Sequence, residues 1–232
     1  METITDRWHR VWGQVQEATA AASRPEGSVR LVAVSKMHPA EAVVEAFRAG
    51  ARDFGENYVQ ELASKQVQVA QMLGADAEQI RWHFIGHLQT NKLRKLKDVT
   101  LIHSVDRWSL VKAMAKRPDA KALLQVNIGA EESKGGFTPD EVVDAVGTIL
   151  REHPSLVLGG LMTIPPPCDD REVQRRYLED MTRLLKECHR VHGDAVGTMT
   201  ELSMGMSADF EQAIAAGATL VRIGTAIFGS RR

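Results

Sequence analysis

The sequence predicts an α/β fold: a closed (β/α)8 barrel of the TIM type with one additional helix at its N-terminus. Three observations predict it. Short apolar runs alternate with helical patterns along the chain, and that alternation implies parallel strands joined by right-handed crossovers. Eight such runs fall within 232 residues, and eight strands close a barrel of this kind. The competing open sheet carries a G-x-G-x-x-G turn after its first strand, and none follows the first run here.

The chain opens with a helix over 5–22, because Trp8, Val11, Trp12 and Val15 recur at three- and four-residue spacing. The two tryptophans are expected to dock it onto the barrel. Arg24-Pro25-Glu26-Gly27 breaks the pattern. The first strand, 30–35, holds Leu31-Val32-Ala33-Val34-Ser35, and Lys36 ends it. Pro39 starts the next helix, 39–49. Strands 53–56, 82–86, 101–106 and 122–128 then alternate with helices 57–73, 90–97, 107–116 and 139–152. Strand 157–164 runs into Pro165-Pro166-Pro167, a stiff loop too short to be a linker. Helix 170–191, strand 200–204, helix 208–216 and strand 220–227 complete the eight units, with Ser207 expected as the N-cap of the helix at 208. No composition change divides the chain, so 1–232 reads as one domain with 1–22 packed on it.

Hydrophobic residues make up 44% and charged residues 25%, as in ordinary soluble domains. A net charge of −1 gives no global field toward nucleic acid or anionic membranes. No run approaches the length of a membrane span. Met1 to Arg10 mixes acids and bases without the apolar core of a signal peptide. Cys168 and Cys188 have neither metal-site nor disulfide-framework spacing, which suits reduced thiols in a cytoplasmic protein.

Lys36 carries the candidate chemistry. Burial at the inner end of a strand disfavours a charged amine, and a neutral amine attacks carbonyls to form a Schiff base. The plain alternative is a lysine that snorkels to solvent or pairs with a carboxylate. In a barrel, Lys36 falls on the C-terminal face, where active sites lie and where the loops after strands 7 and 8 often hold phosphate. Those loops read Glu201-Leu202-Ser203-Met204-Gly205-Met206-Ser207 and Val221-Arg222-Ile223-Gly224-Thr225. Each offers a glycine, a hydroxyl and backbone amides. The alternative is that Gly205 and Gly224 only shape turns. Asp209 and Glu211 would oppose an anion unless they point away. An amine facing a phosphate site suggests an aldehyde on a phosphorylated cofactor, and pyridoxal phosphate fits both ends. Arg222 would then face the pyridine nitrogen and keep it unprotonated; its alternative is a salt bridge in the barrel mouth.

These residues resemble the pyridoxal 5′-phosphate homeostasis proteins, also called proline synthetase co-transcribed homologues. The shared motifs are Ala33-Val34-Ser35-Lys36, Phe54-Gly55-Glu56-Asn57-Tyr58-Val59-Gln60-Glu61, Trp82-His83-Phe84-Ile85-Gly86-His87-Leu88-Gln89-Thr90-Asn91-Lys92, Leu161-Met162-Thr163-Ile164, and the two loops quoted above, the second continuing through Ala226-Ile227-Phe228-Gly229. They run over nearly the whole chain, with no departure at the matched positions. The resemblance implies a barrel like the N-terminal domain of alanine racemase, with pyridoxal phosphate held as an internal aldimine on Lys36. It places Ser203, Gly224 and Thr225 at the phosphate with backbone help near Met204, Arg222 at the pyridine nitrogen, Asn57 near the ring and Met162 beside the cofactor. It implies a carrier or regulator of pyridoxal phosphate in the cell, without turnover of its own, whose partners could include pyridoxal-phosphate-dependent apo-enzymes.

The rival reading is a pyridoxal-phosphate enzyme such as an amino-acid racemase. Two-base racemisation needs a second base opposite Lys36. Alanine racemases take theirs, a tyrosine, from a C-terminal domain of the partner subunit; this sequence stops after the eighth barrel unit. Its tyrosines are Tyr58, just past Asn57, and Tyr177, in an expected outer helix. Without that domain a monomer is expected. A third reading is a sugar-phosphate aldolase with Lys36 as its Schiff-base lysine. His83 and His87 flank a strand pattern rather than a helix face, so no zinc site is expected. The basic run at 92–97 reads as a solvated face. Ser35 and Lys36, being adjacent on a strand, point to opposite faces and form no hydrolytic dyad.

Overall fold

Strand β1 (Arg30–Val34) has Leu31 through Val34 buried, because the chain packs neighbours against both of its faces. A computed structural model describes residues 2–117, 121–131 and 134–230. From β1 the sheet continues through β2 (Asp53–Glu56), β3 (Arg81–Phe84), β4 (Leu101–Val105), β5 (Lys121–Val126), β6 (Val157–Thr163), β7 (Glu201–Ser203) and β8 (Leu220–Ile223). Each strand lies parallel to the next, and β8 returns to β1, closing the barrel in chain order. Val32 faces Asp53 on one side and Arg222 on the other.

Helices α1 (Ile4–Ala21), α2 (Ala40–Arg48), α3 (Val59–Leu73), α4 (Trp108–Met114), α5 (Pro139–Glu152), α6 (Arg171–His192), α7 (Phe210–Ala216) and α8 (Thr225–Phe228) cover the outside. A capping box starts α1: Thr3 Oγ1 accepts from the Asp6 amide, and the Asp6 carboxylate accepts from the Thr3 amide. Trp8, Val11 and Val15 are buried, and the helix packs on α2, α7 and α8. Trp12 stacks on Trp8 within the helix and packs, partly buried, against the apolar core. Both cysteines are free thiols, Cys168 exposed and Cys188 buried. Among the described residues, no helix is long and apolar enough to cross a membrane.

Several expected boundaries move. The run at 220–227 is strand only to Ile223; the Gly224 carbonyl then accepts the amides of Ile227 and Phe228, and the chain coils into α8. The helix expected at 90–97 is a 3-10 segment, Thr90–Lys95, in which only Leu93 is buried, too little apolar face to carry a longer helix. A further 3-10 segment, Gly74–Gln79, follows α3. Helix α7 begins at Phe210 with Asp209 as its N-cap, so Ser207 does not cap it.

Alternation along the strands divides the interior in two. A large apolar cluster fills the space between strands and helices. A small one, Val32, Leu101, Leu123, Met162 and Leu220, comes from five different strands and fills the lumen. Asp53, His83, His103, Ser203 and Arg222 share the lumen, because each is buried and bonded to the next across it.

Candidate functional site

Lys36 lies two residues past the end of β1, in a turn closed by the His38 amide donating to Ser35 O at 3.1 Å. It keeps the inward parity of Val32 and Val34 and is half-buried rather than fully enclosed. Met37, the next residue, has φ +62°, a left-handed conformation that costs a side-chain-bearing residue energy. A buried ionic cluster holds this turn. Met37 N donates to Glu61 Oε1 at 2.5 Å, Ser35 Oγ to Glu56 Oε1 at 2.7 Å, and Lys65 Nζ to Ser35 O at 2.9 Å. Lys65 Nζ also reaches Glu56 Oε1 at 2.6 Å and Glu61 Oε1 at 2.8 Å. Burial lifts the Glu56 carboxyl above its ordinary range, while Lys65 and Ser35 pull it back. Its Oε2 is buried without a partner.

A cavity of about 250 Å³ opens at this end of the barrel. Val34, Lys36, Asn57, Ile85, Ile164 and Arg222 line it, each at the lumen-facing parity of its strand or just beyond the strand's end. His38, Met206, Ser207, Gly224, Thr225 and Gly229 complete it. Among the described residues, no carboxylate lines it. His38 lies over Phe228, ring centroids 5.3 Å apart.

Arg222 is buried at the floor. Its Nη1 donates to Ser203 Oγ at 2.5 Å and its Nη2 to Thr163 O at 2.9 Å. Both acceptors are neutral, so the expected alternative, a salt bridge, is not what anchors it. Burial pushes its guanidinium down to about 10, with Asp209 acting the other way. It remains a cation at neutral pH.

Asn57 sits in the wall because Gly86 lets it. A Cβ on Gly86 would fall 2.1 Å from the Asn57 carbonyl oxygen. Asn57 Oδ1 is buried with no hydrogen-bond partner. Opposite, Gly224 passes close to β1: a Cβ there would meet Val34 O at 3.1 Å. Thr225 and Ala226 follow at the start of α8, where first-turn amides have no intrahelical partner. The Asp209 carboxylate is turned from the cavity, accepting from Met206 N at 2.6 Å and Gln174 Nε2 at 2.7 Å.

The cavity wall therefore gathers Lys36, Asn57, Arg222, Gly224 and Thr225. It does not gather Met162, Ser203 or Met204. Met162 has lumen parity but lies one layer down, in the apolar lumen cluster. The Ser203 hydroxyl is also one layer down, between Arg222 and His103. Met204 has the opposite parity; its side chain is in the outer core and its amide donates to Leu220 O at 3.1 Å. Ser207, rather than Ser203, is the serine that lines the cavity. His38, Val34, Ile85 and Ile164 went unnoticed in the sequence, although strand parity marks the last three. Tyr58 is exposed at the N-cap of α3 and Tyr177 lies on α6; neither lines the cavity. His83 lies in the lumen and His87 on the surface, its Nδ1 3.0 Å from Asp106 Oδ2, so the two share no site.

A primary amine, a buried guanidinium, hydroxyls and close-approaching glycines, with no carboxylate, suit a small anionic carbonyl compound. Residues 13–232 match the family described as alanine racemase, N-terminal domain, and the chain belongs to it. Among solved structures of that class, an alanine racemase from Corynebacterium glutamicum superimposes with TM-score 0.67 at 16% identity, covering 96% of this chain and 60% of that one. Relatives nearer in sequence narrow the family. The pyridoxal phosphate homeostasis protein of Pseudomonas aeruginosa is 41% identical over 100% of this chain and 97% of its own length. That of Aquifex aeolicus is 40% identical over 98% of each. The chain belongs to the pyridoxal phosphate homeostasis protein family. PipY of Synechococcus elongatus, solved with pyridoxal phosphate bound, superimposes with TM-score 0.77 at 34% identity, covering 93% of this chain and 100% of that one.

Proposed function

We propose that this protein binds pyridoxal phosphate at the barrel mouth through Lys36 and serves cofactor homeostasis, holding and releasing it rather than turning substrate over. One observation carries the reading: Lys36 and Arg222 converge in a cavity that, among the described residues, no carboxylate lines. The residues fit the group. The unpartnered Asn57 Oδ1 and the cradle at Gly224 are features a ligand would complete. When bound, the cofactor supplies an aldehyde that condenses with a lysine amine.

The chain's own residues divide the work. Lys36 presents its amine from a turn clamped by Glu61, Lys65 and Glu56. Arg222 places a buried cation where a pyridine nitrogen would lie. Ser207, Gly224 and Thr225 receive the phosphate ester. Asn57 sits beside the ring, and Ile85 and Ile164 cover its apolar faces. The relatives named for homeostasis and the PipY complex with pyridoxal phosphate support this reading. No tyrosine faces Lys36 across the cavity, which disfavours two-base racemisation.

Pyridoxal phosphate added to the purified protein is expected to give violet absorbance, and borohydride reduction is expected to fix the label on the peptide holding Lys36. Mixing the loaded protein with a pyridoxal-phosphate-dependent apo-enzyme is expected to activate that enzyme. A protein that takes up no cofactor would sink the binding reading. Racemase turnover that disappears in Lys36→Ala would replace the carrier role with a catalytic one.

A further inference from the structure

His83 and His103 are fully buried in the lumen and are not among the residues that line the Lys36 cavity, yet they belong to one continuous hydrogen-bonded path. It runs from Arg222 Nη1 to Ser203 Oγ at 2.5 Å, from Ser203 Oγ to His103 Nδ1 at 2.8 Å, from His103 Nε2 to His83 Nδ1 at 2.9 Å, and from His83 Nε2 to Asp53 Oδ1 at 2.9 Å. Asp53 and Arg222 therefore connect the N-terminal end of β2 to the floor of the cavity.

The end groups decide where every proton sits. An arginine only donates, and an ionised carboxylate only accepts. Arg81 clamps Asp53 with bonds of 2.9 and 2.6 Å, and Arg30 stands 3.8 Å away, so Asp53 is ionised. His83 Nε2 must then carry a hydrogen. Burial holds both imidazoles below their ordinary range, hence neutral. Neutral His83 has a bare Nδ1, so His103 Nε2 carries the hydrogen between them. Neutral His103 likewise has a bare Nδ1, and Ser203 gives it its only proton. The Ser203 lone pairs are left for Arg222. With neutral imidazoles no other assignment gives each contact one donor and one acceptor.

We propose that Asp53, His83 and His103 are positioning residues for the cofactor site, whose one-way chain of donors makes Ser203 a fixed acceptor that aims Arg222 at the cavity. The inference rests on the proposed cofactor only for what Arg222 is aimed at. Two anchors hold the guanidinium plane, Ser203 Oγ and Thr163 O. The carbonyl cannot change its role, but a hydroxyl can rotate, and a hydroxyl whose hydrogen faced Arg222 would push it away. His103 removes that freedom by taking the hydrogen. Bonds in such a chain polarise one another in the low-dielectric lumen.

Nitrogen-15 NMR of the histidine rings in the full chain reads the tautomers without any cofactor. Both His83 and His103 are expected as neutral Nε2–H forms at pH 7; an imidazolium or an Nδ1–H form at either overturns the chain. Cofactor loading reads the coupling. Ser203→Ala and His103→Leu are each expected to weaken pyridoxal phosphate binding at least tenfold and to shift the pH midpoint of its violet absorbance. His103→Gln, whose amide oxygen can still accept the Ser203 proton, is expected to recover part of both. Folded Ser203→Ala that loads and titrates like the parent overturns the proposal even if His103→Leu fails to fold. A parent protein that takes up no pyridoxal phosphate overturns the proposed function instead, and the NMR tautomers then decide the chain by themselves.

Discussion

Lys65 Nζ donates to the carbonyl oxygen of Ser35 at 2.9 Å, one residue before Lys36. The same ammonium pairs with Glu56 and Glu61 at 2.6 and 2.8 Å, and the Lys65 side chain is only 4% exposed. One buried cation thus ties α3 to the turn that carries the candidate nucleophile.

Lys65→Met is expected to lower stability by about 3–5 kcal/mol, since it strands the Glu56 charge out of water. Urea unfolding measures this. Adding Glu56→Gln is expected to recover part of the loss. A loss in the single variant below about 1 kcal/mol, the range of surface pairs, would contradict a buried clamp.

Ser207 and Ser203 are expected to behave differently. Ser207→Ala removes a hydroxyl at the proposed phosphate end, where a bond to a charged group is worth about 1.5–3 kcal/mol. It is expected to weaken pyridoxal phosphate binding roughly tenfold or more and to leave pyridoxal, which has no phosphate, unaffected. Ser203→Ala acts through Arg222 and is expected to weaken both ligands alike. Titration by absorbance separates them; a Ser207→Ala protein that loses affinity for both ligands equally would remove Ser207 from the phosphate.

Gly86→Ala is expected to cost about 1–3 kcal/mol by overpacking, because its Cβ would press on the Asn57 carbonyl. Thermal unfolding checks the cost. Pyridoxal phosphate binding is expected to weaken as well, since Asn57 must move out of the wall. Unchanged affinity in a destabilised variant would show that Asn57 has no part in binding.

Stability is expected to fall as pH drops from 7 to 5. Below about pH 6.5 the unfolded chain's histidines take up protons. Burial lowers the affinity of His83 and His103 for protons, so the folded state binds fewer. The loss is up to about 1.4 kcal/mol per pH unit for each imidazole. Asp53 extends it into the acid range: burial works to raise its carboxyl, but bonds from His83 and Arg81 hold it well below the usual value. Its contribution is complete above about pH 4 and is lost as pH falls through its lowered value. Glu56, raised by burial, works in the opposite direction and flattens the slope in part. The melting temperature followed against pH tests this, and a folded His103→Leu variant is expected to give a flatter profile. An unchanged melting temperature between pH 7 and 5 would contradict buried neutral imidazoles.

Alternation and strand count carried much of the barrel. The runs beginning at Arg30, Asp53, Leu101 and Leu220 are strands at those starts, and Lys36, Asn57, Arg222, Gly224 and Thr225 meet in one cavity. Depth was harder to read. Period two tells lumen from outer core, which excludes Met204, but it does not say how far down the lumen a residue lies. Met162 and Ser203 share the lumen parity and lie one layer below the cavity. Ser207 reads as a cap because the following residues look helical; the turn at Met206–Asp209 delays α7 and leaves Ser207 at the cavity. The path from Asp53 to Arg222 joins side chains from β2, β3, β4, β7 and β8, which only closure of the barrel brings together.

The inward parity of the cavity wall makes the site a matter of reading frame. Val32, Val34 and Lys36 face the barrel axis because two residues separate each from the next. One residue inserted between Val32 and Val34 would turn Lys36 toward the helices and present Ser35 to the cavity, with composition and strand propensity hardly changed. An insertion of two would restore the facing but lift the amine by about 6.6 Å along the strand, out of reach of the floor where Arg222 lies. Length variation in this family should therefore collect in the helices and in the loops at the opposite end of the barrel, while the spacing from each strand to its cavity residue stays constant.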